Sequence, residues 1–424
     1  MPIENNFQHD ELSRKNPGER VGYAQLAAGP APDSPLWRNE MSQCAGRLHE
    51  AGVRAVVFFH GVIHGSDVFG MQRLDEAGGL KRGYSRGVSG VDALLAYMRE
   101  GNNGIPPLAG SLKPPFAGDD KTRQVIDSQV GDAGNFTDAY VTQCRSGLNS
   151  NPAHPITVVR RLWSCEHFHL GRLLASLRLL GDLRALCESQ SLKPDDRILV
   201  LAHGQSGLVT ALASNFLCPS PIVGRSTLLR LIATYAERNN LTDVTHLLKI
   251  LEPLFPTGSV LHGVTLDIVT LGTPVRYGWD PSGIGKLLHV VNHRQLRSDG
   301  KAWLSKMELP QITMEMPIAW GGDYVQELAV AGSDSMPPTE QAKAANKAVW
   351  ELVEPYDGFE RWLECARRAV RIPSEGHGLL IDYQDSTGSA NPRDHYYGHA
   401  VYTRRDIMLF NLKQIIDGMY RAAA

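Results

Sequence analysis

No stretch of the chain approaches the roughly eighteen uninterrupted apolar residues that a membrane-crossing helix needs. The most apolar segment, Arg197 to Leu217, is broken by His, Gln and Ser and reads as a strand followed by a helix. No transmembrane segment is expected. A charge excess is also missing: 43 Lys and Arg stand against 45 Asp and Glu. The global field that would gather nucleic acid or anionic lipid is therefore absent, and a neutral or apolar small molecule is the expected ligand. The six cysteines (Cys44, Cys144, Cys165, Cys187, Cys218, Cys365) form no CxxC pair. They resemble a reduced set more than a disulfide framework, and the opening MPIENNFQHD lacks the basic flank and apolar run of a secretory signal, so a cytoplasmic location is expected. There is no GxxxxGK[ST] turn, and HGVIHG lacks dinucleotide-turn spacing, so no such cofactor is expected. Nothing resembles HExxH. Glu166, His167 and His169, with His60 and His64, are the only ligand-type cluster in sight, and no metal is expected there. Cys165 has no motif that places a base beside it.

What is present is an ordinary globular mixture, 42% hydrophobic and 21% charged over 424 residues. Residues 1–50 read as a polar N-terminal arm with a short helix around Met41 to His49. Residues 51–424 read as one domain. Its strands are the apolar runs Arg54–Phe59, Ile156–Val159, Arg197–Ala202, Leu266–Leu271 and Leu287–Val291, with two further runs, Gln326–Ala331 and Gly378–Tyr383. Helical leucine spacing follows the second run, from Leu170, and an apolar helix follows the third, from Leu208. The Gly- and Pro-rich stretch at about 101–120 is expected to be a surface loop, and helices within about 222–256 a cap over the site. Later helices are expected around 339–370 and 405–420. Strand-helix alternation predicts an α/β fold with a doubly wound, mostly parallel sheet.

Ligands of such sheets bind outside the carboxyl ends of the strands, so the residues just after each apolar run are the ones to question. The first run ends in FFHGVIHGSDVFG, where Gly61 permits a sharp turn and leaves the Val62 N–H free to face a crevice. The third ends in AHGQSGLV, the fourth in GTPVRYGWD, and a late loop carries His399 in GHAVYTRR. A strand ending in His60-Gly61, a later small-His-x-x-x-Gly turn at His203 to Gly207, VTLGTP and a histidine near the C-terminus resemble the α/β-hydrolase superfamily, in the order found in lipases and esterases. The GDAGNFT (Gly131 to Thr137) and WSCEHFHLGR (Trp163 to Arg172) segments are similar to bacterial hydrolase-like proteins.

The resemblance implies a nucleophile at the apex of a strained strand-to-helix turn, followed by an N–H that helps to bind an oxyanion. Two registers are open. Counting from the strand end and the helix start puts Gly204 at the apex, Gln205 after it and Ser206 two residues late. The other register puts Ser206 at the apex and makes Leu208 the usual final glycine, after Gly207. The resemblance assigns the base to His399, with His377 and His395 as rivals. The acid falls to Asp334, after QELAVA, or to Asp323, after PIAW. Structural roles, as helix caps or turn formers, compete for each of these residues. The expected function is that of a serine ester or lipid hydrolase: Ser206 attacks, His399 takes its proton, and the N–H groups of Val62 and the elbow hold the oxyanion. The alternative is a catalytically silent protein of the same fold that binds its ligand with Gly204 at the nucleophile position.

Overall fold

The computed structural model describes residues 21–61, 127, 131–132, 134–163, 166–222, 224–293, 322–323, 325–326, 337, 339–353, 372–373, 375–384 and 398–420. Seven strands are described: β1 (Val21–Gln25), β2 (Val53–Phe59), β3 (Thr157–Arg161), β4 (Arg197–His203), β5 (Thr265–Leu271), β6 (Leu287–Asn292) and β7 (His377–Asp382). They form one sheet in the order β1-β7-β6-β5-β4-β2-β3, and every pairing is parallel. All carboxyl ends therefore lie along one edge.

The apolar runs are continuous because both faces of the sheet are covered. Ala55, Val57 and Phe59 of β2 face a core shared with α3 (His169–Ser189), α4 (Gln205–Leu217), α5 (Arg225–Arg238), α6 (Thr242–Leu251) and α7 (Glu340–Val353). Val56 and Phe58 face the opposite core, shared with α1 (Pro35–Glu50), α2 (Asp138–Leu148) and α8 (Met408–Met419). This is the doubly wound α/β arrangement expected from the alternation.

Several elements differ from the sequence reading. Residues 21–25, read as part of an arm, form edge strand β1 beside β7. Helix α1 begins at Pro35, capped by the Ser34 hydroxyl, which accepts the Trp37 N–H at 3.2 Å. Residues 325–326 are helical, so a strand does not begin at Gln326; Asp323 accepts the Gln326 N–H at 2.8 Å and acts as the helix cap. Of the helices expected as a cap, α5 packs against α6 and α7, and α6 packs on the flank of α3. There Arg178 meets Asp243 at 2.8 Å, and Gly181 lies against Leu247. The stretch at 101–120 lies outside the described residues.

The chain leaves β2 toward β3 on one side and returns to β4 on the other. The reversal falls at the carboxyl ends of β2 and β4, the position where doubly wound sheets bind ligands. His60-Gly61 and His203-Gly204 end those two strands.

Candidate active site at the strand switch

Beyond β4 the chain turns through Gly204, whose φ of 54° and ψ of −121° place it alone at the apex between strand and helix. Only glycine adopts this backbone freely. The turn is packed from three sides. A β-carbon at Gly61 would overlap the His203 carbonyl oxygen, and one at Gly207 would overlap the Thr273 hydroxyl. That hydroxyl donates to the Gly204 carbonyl at 2.9 Å, and the Gly204 N–H reaches the Leu271 carbonyl at 2.9 Å. The turn is thus tied to the end of β5 by main chain and side chain alike.

The structure corrects the reading of Ser206. It lies in the first turn of α4, fully buried, and its hydroxyl points back to the carbonyls of Phe59 and His203, both at 2.8 Å. A single proton shared between two main-chain acceptors fixes the oxygen in the interior. The cause is local: β4 stops at His203, which puts Gly204 at the turn and Ser206 two residues beyond it.

His399 and Asp323 come together over the apex. His399 Nδ1 lies 2.9 Å from Asp323 Oδ2, and the two side chains are 4% and 0% exposed. The same carboxylate oxygen accepts the Tyr402 hydroxyl at 2.8 Å, while Oδ1 accepts the Gln326 N–H. Three donors thus hold the buried carboxylate, as burial of a charge requires. Burial, followed by the adjacent Asp323 charge, pushes the Tyr402 hydroxyl well above its ordinary pKa, so it remains a donor. With Nδ1–H donating to Asp323, the lone pair of Nε2 is left facing the turn. A β-carbon on Gly204 would stand 2.8 Å from Nε2 and 3.4 Å from Cε1.

Three further residues, Gly272, Asn292 and the Tyr402 just described, build this arrangement. Gly272, with φ of 63°, makes room for the pair, because a β-carbon there would lie 2.5 Å from Asp323 Oδ2 and 2.6 Å from the Tyr402 ring. Asn292, at the end of β6, gives its side-chain N–H groups to the carbonyls of Gly322 and Gly398 at 3.2 and 3.0 Å, and its main-chain N–H to the Tyr402 hydroxyl at 2.7 Å. The GTP after β5 and the three-residue step from His399 to Tyr402 were the available signals.

The remaining predicted residues have other surroundings. His60 is a fastener: its Nε2 accepts the Trp163 N–H at 3.2 Å, and its carbonyl accepts the Trp163 indole at 3.0 Å. Complete burial, reinforced by Arg160, holds its pKa well below the ordinary value. His203 donates from Nε2 to the His399 carbonyl at 3.0 Å, and its ring lies 4.4 Å from that of His399. Burial, then the nearby His399, lowers its pKa to about 3. The Gln205 side-chain oxygen accepts Arg172 Nε at 3.0 Å, and His169 Nδ1 meets the Tyr277 hydroxyl at 2.9 Å. His377 heads β7 at the opposite, amino edge, which removes it as a base for this turn. Val62, His64, Cys165, Asp334 and His395 lie outside the described residues.

No helix among the described residues is long and apolar enough to cross a membrane. Compared with known proteins, the chain matches no family model, no curated protein and no solved structure.

Proposed function

We propose that this protein is a carboxylic ester hydrolase that works by general-base catalysis from His399, without an acyl-enzyme, on a neutral or apolar ester. The observation that carries this reading is the His399–Asp323 pair at 2.9 Å, its Nε2 directed at an apex that bears no side chain. The strand-turn-helix at a strand switch, in the order seen in α/β-hydrolases, supports the same reaction class. Nε2 takes a proton from a water molecule. The water oxygen bonds to the ester carbonyl carbon, and the carbonyl electron pair moves onto oxygen. The N–H of Gln205, directly after the apex, takes the place this turn gives to an oxyanion donor. Collapse expels the alkoxide, which recovers the proton from the imidazolium. Asp323 holds the tautomer and offsets the transient charge.

A second reading, ligand binding without turnover, is favoured by the 2.8 Å separation between Nε2 and a β-carbon at Gly204, which is closer than an attached serine would tolerate. Hydrolysis of p-nitrophenyl esters of graded chain length separates the two. Turnover is expected that resists a fluorophosphonate probe and falls by about 10²- to 10⁴-fold in His399→Ala. Absence of turnover with every ester overturns the enzyme reading and leaves the binding one.

A further inference from the structure

We infer that Tyr402 is a positioning residue that sets how strongly the His399–Asp323 pair holds a proton, through a hydrogen bond to the carboxylate oxygen that His399 also uses. Its role in catalysis rests on the general-base reading above; its hold on the pair does not.

Asp323 Oδ2 is the meeting point. His399 Nδ1 lies 2.9 Å from it, and the Tyr402 hydroxyl donates to it at 2.8 Å. The same hydroxyl accepts the Asn292 main-chain N–H at 2.7 Å. A bond received on the phenol oxygen polarises its own O–H and makes it a stronger donor, so the chain from Asn292 through Tyr402 ends with full effect on the oxygen that orients the base. Carboxylate and phenol are both fully buried, away from the screening of water. The phenol ring is also fixed in place. A β-carbon at Gly272 would stand 2.6 Å from it, and the Tyr383 ring packs against it edge-on at 5.6 Å.

The direction of the effect follows from the form that the bond favours. The Tyr402 O–H stabilises the ionised carboxylate and draws charge off Oδ2. Less charge on that oxygen means a weaker hold on an imidazolium at Nδ1 and a lower affinity of the pair for an added proton. Without the hydroxyl the pair takes up a proton more readily, whether it settles on the ring or on the carboxylate. The other titratable groups close by are turned to different partners. The His203 ring, 4.4 Å from that of His399, is kept neutral by burial, with a pKa of about 3, and donates to the His399 carbonyl. The Tyr383 hydroxyl donates to Asn411 Oδ1 at 2.8 Å. A carboxylate that held its histidine without this moderating bond would favour the cationic ring, which accepts no proton from a nucleophile.

Tyr402→Phe keeps the ring and removes only the donor. The titration of His399 is followed by NMR from its imidazole Cε1–H, assigned by its loss in His399→Ala, over the range in which each protein stays folded. The midpoint is expected to rise by about one pH unit in Tyr402→Phe, the displacement that one hydrogen bond to an ionised carboxylate brings. The acid limb of kcat for p-nitrophenyl butyrate should rise with it, while KM stays within about twofold. Replacement of Tyr402 by 3-fluorotyrosine, a stronger donor of nearly the same shape, should move the midpoint the other way, and it provides the test if the phenylalanine variant does not fold. A role in packing alone would move neither. A folded variant of either kind whose His399 titrates as in wild type, or shifts of one sign in both, overturns the inference and leaves the general-base reading standing. Opposite shifts without ester turnover in any of the proteins overturn the general-base reading and leave the hold of Tyr402 on the pair.

Discussion

At the scale of single residues, a glycine and a serine have exchanged the roles that the AHGQSG motif suggests. Gly204 takes the left-handed apex, and Ser206 binds two carbonyls in the interior. Ser206→Ala should therefore leave ester turnover within about threefold of wild type while costing about 1–2 kcal/mol of stability, the value of a buried hydroxyl with satisfied partners. A loss of several orders of magnitude in rate would restore Ser206 as nucleophile. Gly204→Ser should behave oppositely. Its positive φ and the contact with Nε2 combine to destabilise by about 1–3 kcal/mol in denaturant titration. A variant as stable as wild type would show that the histidine yields to a side chain at the apex.

At the scale of elements, the site is assembled by the ends of β4, β5 and β6 and by two segments laid across them. Asn292 joins the segments, holding Gly322 beside Asp323 and Gly398 beside His399. Asn292→Ala leaves both carbonyls without those donors. It is expected to cost about 2–3 kcal/mol, and to lower kcat far more than it raises KM, because the base loses its alignment rather than the cleft its walls. Equal changes in both constants would contradict this role. The same elements show what was legible in the sequence. Strands β2, β4 and β5 are unbroken apolar runs because both their faces are buried, and such runs are visible without a partner. Strand β1, VGYAQ, is short, lies at an edge and pairs only with β7, so nothing in its own residues marks it as a strand. Helix α2 contains Gly147 and a cysteine, but its burial is set by Trp37 and Met41 of α1, about a hundred residues earlier. His399 was legible from its place before the last helix. Its pairing with Asp323 crosses 76 residues of chain and depends on Asn292 and Gly272, which no local pattern reveals. The turn register hinged on whether β4 stops at His203 or runs on through Gly204, a shift so small that propensity does not resolve it.

At the scale of the whole molecule, two imidazoles buried in the uncharged form make folding dependent on pH. His203 and His60 have depressed folded-state pKa values, His203 to about 3. Histidines of the unfolded chain titrate near about 6.5. Above that pH neither state takes the proton, and the stability is fully present. Below it the unfolded chain binds protons that the fold refuses, so stability falls as pH falls. The loss approaches about 1.4 kcal/mol per pH unit for each residue, and for His203 it continues toward its folded value. Urea midpoints measured from neutral pH down to mild acid should fall along such a slope, and His203→Gln should reduce the slope by about half of this histidine contribution. An unchanged slope in the variant would show that His203 is not the titrating group. The burial of every residue from Gln205 to Leu217 has a consequence for motion. A helix with no face toward solvent opens its amides to exchange only when the molecule as a whole comes apart, so the apex is anchored to the most slowly exchanging part of the protein. His399 itself is held through bonds to Asp323, the Asn292 amide beside it and the His203 ring, and the segment around it should exchange sooner. Reactivity at this site is then governed by how often the base arrives at a fixed turn, and not by how often the turn forms.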